Sequence, residues 1–213
     1  MNIESFTYHP LQEEIVQVLK NKTLNPKSDE YYRLLVCWFF AQMATNLHVS
    51  IVTKDRGKLP LNSYSLLLAQ SGFGKNHGLN ILENSFLSKF KKEFLDKTFI
   101  NVAEKSISKE ANFTSSLTGN DYIEEEEKLI KEFTACGEFP YSFDSGTTAA
   151  FRQVRAKAQI ARIGSLSLVI DEIGSNLASN TELFTILLDN YDLGLMKNKL
   201  LKNSAENVRG KDR

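Results

Sequence analysis

Within PLQEEIVQVLKN the apolar positions Leu11, Ile15, Val18 and Leu19 fall on one helical face, and Pro10 suits a first turn. The pattern predicts a short amphipathic helix. Ser28 stands where an N-cap belongs and Asp29 and Glu30 suit the positive end of a second helix, which is apolar nearly all round from Tyr31 to Leu47. Such a helix buries several sides, so Trp38, Phe39 and Phe40 are read as core or subunit contacts. Past Leu47 the period changes. HVSIVTK and SYSLLLAQ are short β-branched or aliphatic runs on either side of the turn-like DRGKLPLN, and both predict strands.

From Lys75 to about Lys97 the helical spacing returns through Leu79, Leu82, Phe86, Leu87, Phe90 and Phe94, with Lys89, Lys91 and Lys92 on a solvated face. Residues 98–120 are rich in Ser, Thr and Asn and are expected to carry loops. Gly119, Asn120 and Asp121 offer caps to the helix YIEEEEKLIKEF, whose glutamates from Glu124 to Glu127 favour its N-terminal end. FPYSF predicts a short strand, DSGTTAAFRQVRAKAQIARIG a capped helix, SLSLVIDEIG a buried strand with an acidic end, and TELFTILLDNYDLGLM a final helix. No internal repeat is evident.

Composition narrows the class. Of 213 residues 42% are apolar and 24% charged, which suits a globular domain with a real core and excludes a wholly disordered chain. Only 11 glycines and 4 prolines punctuate it, which favours long helices. The formal net charge is zero, so any contact with nucleic acid or an acidic membrane must be local. Cys37 and Cys136 form no CxxC and are read as small buried apolar residues in a reducing compartment. With no signal-peptide pattern and no apolar run of about 20 residues, the expectation is a cytoplasmic protein without a membrane partner.

The chemistry concentrates in LLLAQSGFGKNHGLN, where an apolar run leads into a Ser/Gly loop, then a lysine, then a helix. Gly72 and Gly74 would let the backbone between Ser71, Phe73 and His77 turn its N–H groups toward a polyphosphate. Lys75 would reach the β and γ phosphates, and the helix start would add its positive end. Against the pattern GxxxxGK[ST], Ala69 occupies the first glycine position, and Asn76 stands where a hydroxyl would hold Mg²⁺. About a hundred residues later, LSLVIDE places Asp171 and Glu172 at the end of an apolar run. Asp171 would hold Mg²⁺ and Glu172 would activate a water for attack on the γ phosphate.

AQSGFGKN, IDEIG and TELFTILLDNYDLG together resemble the P-loop ATPase domain of primase-helicase-type replication proteins of phages and mobile elements, related to the RecA-like and AAA+ ring ATPases. The likeness runs over roughly residues 30–200. It implies an α/β fold: a P-loop core at 50–213 with a parallel sheet flanked by helices, incomplete at its C-terminal end, after a helical segment at 1–49. It further implies ATP-driven work on DNA, single-stranded in the full assembly, by a homo-oligomeric ring. In it Lys75 and Glu172 are the catalytic residues, residues 71–77 bind the nucleotide, and Asp171 and Asn76 face the metal.

Other functions remain open on the residues themselves. A degenerate loop in an interaction or regulatory module would bind nucleotide or nothing, without hydrolysis; a small-substrate kinase would need a lid with clustered arginines. Arg152, Arg155 and Arg162 suit a salt-bridged helix face or an arginine finger. The basic residues Lys197, Lys199, Lys202, Arg209, Lys211 and Arg213 suit a soluble tail or a phosphate-backbone contact.

Overall fold

The computed structural model describes residues 7–23, 29–67, 73–144, 146–169, 199–201 and 204–206. Helices make up most of these, and the chain divides into two compact units, one drawn from residues 1–44 and 63–92 and the other from 45–62 and 93–213.

In the first unit α1 (Pro10–Thr23) and α2 (Asp29–Asn46) form where the periodicity places them. Val16 and Leu19 of α1 are buried, as are Tyr31, Tyr32, Leu35, Val36 and Phe39 of α2. Polar ties close the outer side of this pair. Arg33 donates to both carboxylate oxygens of Glu13, at 2.8 and 2.7 Å, and Lys20 pairs with Asp29 at 2.5 Å. Cys37 is exposed and takes a hydrogen bond from Gln12 Nε2 at 3.1 Å, and Cys136 is half-buried. Neither thiol is the core residue the sequence suggested: Cys37 lies beside the buried stripe of α2, and Cys136 follows α6, none of whose residues is buried.

Helical elements then follow one another without an intervening loop: α3 (Lys75–Ile81), a π-helical segment (Leu82–Leu87), α4 (Ser88–Glu93), a second π-helical segment (Phe94–Phe99) and α5 (Ile100–Thr118). The π segments have a cause in the packing. Leu82 and Leu87, like Phe94 and Phe99, are five residues apart, and all four are buried. At 100° per residue an α-helix turns such a pair well apart, whereas i→i+5 hydrogen bonds bring both onto one face. Phe86, part of the expected stripe, is left exposed.

The second unit packs α5 against α6 (Tyr122–Ala135) and α7 (Thr148–Ala161). Where a loop was expected at 98–120, α5 runs to Thr118. Ala103, Ile107 and Ala111 form a narrow buried stripe, and the hydroxyls of Ser116 and Thr118 donate back to the carbonyls of Phe113 and Thr114. Polar residues that usually compete with a helix thus bond to its own backbone. Asp121 caps α6 through the Ile123 N–H and Thr147 caps α7 through the Ala150 N–H. Lys157 of α7 closes the other end of α6: its ammonium donates to Phe133 O and Gly137 O and lies 4.2 Å from the Phe133 ring centre. Burial pushes its pKa down.

A cluster of aromatic rings fills the core of this unit. Phe99 stacks on Phe139 at 4.3 Å, and Phe94 meets Tyr141 edge-on. Gly164, at φ +92, sits against the stacked pair, and a Cβ there would lie 2.6 Å from the Phe139 ring. Its N–H donates to Asn46 O at 2.8 Å, and its carbonyl is 2.8 Å from His48 Nε2. The Ser165 N–H donates to Asn46 Oδ1 at 3.1 Å, and Asn46 is fully buried.

The expected parallel sheet is absent from the described residues. β1 (Ser50–Thr53) pairs antiparallel with β2 (Gly57–Pro60), whose residues lie inside the stretch read as a turn. Ser65 to Leu67, expected to be a core strand, belong to no strand, and Leu66 is 61% exposed, contrary to the two-sided burial a central parallel strand needs. FPYSF and SLSLV meet in a single parallel bridge, Phe143 to Leu168, closed by Phe143 N–H to Ser167 O and Val169 N–H to Phe143 O. A second short ladder, β3 (Lys199–Leu201) with β4 (Ser204–Glu206), is also antiparallel. The α/β P-loop core is therefore replaced by a mostly helical architecture with two-stranded antiparallel ladders. The expected helix TELFTILLDNYDLGLM and the Ser28 cap lie outside the described residues. No described helix is long and apolar enough to cross a membrane.

Two measurements check this packing. Gly164→Ala combines a left-handed backbone with overpacking against Phe139 and is expected to cost about 2–4 kcal/mol in urea unfolding. Glu126 of α6 accepts from Ser108 Oγ and Tyr122 Oη, both at 2.6 Å, and these two bonds, that from Ser108 first, hold its carboxyl below the usual range. A lowered folded-state pKa gives stability that is present above the ordinary carboxylate value and lost as pH falls through the folded one. Between about pH 5 and pH 3 the melting temperature should therefore fall more steeply for the wild type than for Glu126→Gln.

Candidate functional site

The segment singled out by the sequence enters the described residues at Phe73 and continues into α3; Ser71 and Gly72 lie outside them. Gly74 precedes the helix at φ 82, ψ 23, a left-handed conformation that costs a residue with a Cβ about 1–2 kcal/mol. Among the described residues a Cβ at Gly74 would meet nothing within 4 Å, so it is the left-handed conformation that calls for glycine here. Gly74 O accepts the His77 N–H at 3.1 Å, and among the described residues no side chain caps the helix. Lys75 is the first helical residue, and Asn76 and His77 follow it, both exposed.

Aromatic packing fixes where this turn sits. Phe73 meets the Tyr31 ring edge-on at 5.2 Å, and Tyr31 meets Tyr32 in the same way at 5.0 Å. Gly78 is buried one turn into α3, and a Cβ on it would stand 3.2 Å from Tyr31 Oη and 3.3 Å from Tyr32 Cε1. Its missing side chain leaves room for the Tyr31 and Tyr32 rings against α3. Tyr32 is held in turn by a 2.5 Å hydrogen bond between its hydroxyl and Thr23 Oγ1. Burial, with Tyr32 alongside, pushes the Tyr31 hydroxyl up to about 12, so it stays protonated at neutral pH.

The structure thus brings Phe73, Gly74, Lys75, Asn76 and His77 into one turn. Asp171 and Glu172 lie outside the described residues. Of the arginines weighed as fingers, Arg155 is buried in α7, Arg152 is half-buried, and Arg162, left-handed at the end of α7, pairs with Glu110. Sequence reasoning missed the seat made by Tyr31, Tyr32 and Gly78. The signal available was a glycine inside a helical run, which often marks close packing. Chemically, a glycine-bent backbone opening an uncapped helix suits an anion, with the exposed Asn76 amide and His77 imidazole beside it. Comparison of the chain with protein-family models, with curated proteins and with solved structures gives no match.

The seat can be tested. Helix propensity alone favours Gly78→Ala by about 1 kcal/mol, yet the pinned rings should cancel that gain. Gly78→Val should destabilise by about 1–3 kcal/mol through overpacking. Chemical denaturation of both variants measures the two effects.

Proposed function

We propose that the chain binds ATP through residues 71–77 and serves DNA replication as a helicase-type ATPase that works as an oligomeric ring on single-stranded DNA. The observation that carries this reading is the left-handed Gly74, which opens a helix with no side-chain cap directly before Lys75. A backbone bent in that way, with no described residue within 4 Å of where a Cβ would stand, suits a phosphate group better than a packed turn does. The resemblance of AQSGFGKN and IDEIG to replication ATPases supplies the rest.

In this reading Lys75 binds the β and γ phosphates, and the Ser71 to Gly74 backbone wraps them. Glu172 orients the attacking water and accepts its proton. The exposed Asn76 side chain offers an amide oxygen, a donor of the class Mg²⁺ takes, and Asp171 offers a carboxylate. Bound there, Mg²⁺ would neutralise phosphate charge.

A second reading, a nucleotide-binding module without hydrolysis, is favoured by one finding. The antiparallel ladders among the described residues provide no parallel sheet to carry the acidic strand end to the loop.

Calorimetry with ATP and Mg²⁺ tests the binding claim. Lys75→Ala should weaken ATP binding by about 10- to 100-fold, the worth of a charge-assisted hydrogen bond, with an unchanged circular dichroism spectrum. Equal affinity in a folded variant would remove the assignment. Glu172→Gln separates the two readings, since it should abolish any turnover and leave affinity intact. Turnover absent from the wild type itself would favour the non-hydrolysing module.

A further inference from the structure

The β1–β2 hairpin is held at its base and open at its tip. Thr45 Oγ1 donates to Leu61 O, while His48 meets the Gly164 carbonyl, so both flanks of the hairpin are anchored within its own unit. Between these anchors the register pairs Ile51 with Leu59, Val52 with Lys58 and Thr53 with Gly57. Gly57, at φ +70, closes the turn Lys54–Asp55–Arg56, and the Arg56 N–H donates to Thr53 Oγ1 at 3.1 Å.

What the hairpin shows to solvent is unusual. Val52 is 79% exposed and Ile51 is 53% exposed, and successive strand residues point to opposite faces, so both faces carry open apolar surface. Among them stand Lys54, Arg56 and Lys58, all exposed, against Asp55 as the one acid, a local balance of three positive to one negative. Arg56 and Asp55 lie 3.6 Å apart with both side chains about three-quarters exposed, a pairing water largely screens. Lys54 and Lys58 make no ion pair among the described residues. In a chain of zero net charge this is a local positive field.

We infer that the Ser50–Pro60 hairpin is a contact element for single-stranded nucleic acid, in which Lys54, Arg56 and Lys58 take phosphates while Ile51 and Val52 lie against bases. A single strand presents regular negative charge beside flat apolar faces, and the hairpin presents cations around its turn beside the exposed aliphatic side chains of β1. The register puts Lys58 directly across from Val52, so a phosphate and its neighbouring base can be engaged together. An acidic peptide offers the charge without flat faces. The inference deepens the DNA-partner reading above, but it concerns a different set of residues and needs no bound ATP.

The test is fluorescence anisotropy of a 5′-labelled oligo(dT) of about 20 nucleotides, long enough to exceed a single-module site, titrated with the full chain without nucleotide. The triple variant Lys54→Ala/Arg56→Ala/Lys58→Ala should bind at least about tenfold more weakly, with a salt slope shallower by about 2, from roughly 0.7 per phosphate contact on single strands. Val52→Ser should weaken binding and leave the slope unchanged. The substitutions are exposed, so equal melting temperatures are expected to confirm folding. Unchanged affinity and slope in the triple variant would overturn the inference, as would failure of the wild type to bind the oligonucleotide. Tighter wild-type binding to polyglutamate or to phosphatidylserine vesicles would also overturn it, in favour of an acidic protein or a membrane. Oligonucleotide binding that persists in Lys75→Ala keeps this outcome separate from that of the ATP experiment.

Discussion

Gly164 is the point on which the second unit turns. Its N–H and its carbonyl are both taken, by Asn46 O and by His48, while the Phe139 ring, stacked on Phe99, fills the space where a side chain would be. Three separate stretches meet there: the end of α2, the base of the β1–β2 hairpin, and the chain leaving α7. A side chain at this position would separate the rings, and a different φ would turn the two backbone groups away from their partners. Asn46 adds a third bond through its amide, to the Ser165 N–H, and its full burial makes that satisfaction necessary. The hairpin can therefore expose valine and isoleucine side chains without depending on them for its own position.

In the first unit an equivalent constraint comes from ring packing instead of backbone bonds. Tyr32, fixed by Thr23, and Tyr31, fixed by Tyr32 and Phe73, crowd position 78, where a Cβ would stand 3.2–3.3 Å from them. The start of α3 is thereby held by ring contacts at Phe73 and at Gly78 one turn on, which divides packing positions from solvent-facing ones within the same turn. That division lets Asn76 and His77 stay exposed. The turn carries a left-handed glycine where a capping serine or aspartate would otherwise serve.

The candidate loop was legible because its signal is local. Glycine, lysine and a following helix lie within a few residues, and Gly74 adopts the positive φ that only such a residue takes without cost. Asp171 and Glu172 stood on a different footing. Their link to the loop depended on a parallel sheet inferred from two apolar runs, and such runs do not say which strands pair. LLL was read as a buried strand, yet Leu66 is largely in solvent, and the true partner of β1 is GKLP, a segment too polar and too glycine-marked to announce itself.

By itself the sequence determined α1, α2, α6 and α7, with a cap for α6 among Gly119, Asn120 and Asp121, because apolar spacing and capping are properties of neighbouring residues. Only tertiary structure decided that the Ser- and Thr-rich stretch after residue 98 is α5. Its Ala103, Ile107 and Ala111 form too thin a stripe to signal a helix until α6 and α7 are packed against it. The same holds for the π segments, where burial of Leu82 with Leu87 and of Phe94 with Phe99 overrides the ordinary α period. Burial of Arg155, which suited a salt-bridged helix face or a finger, and of Lys157 has the same origin: the Lys157 ammonium finds carbonyls at the end of α6, partners that exist only once the helices have come together.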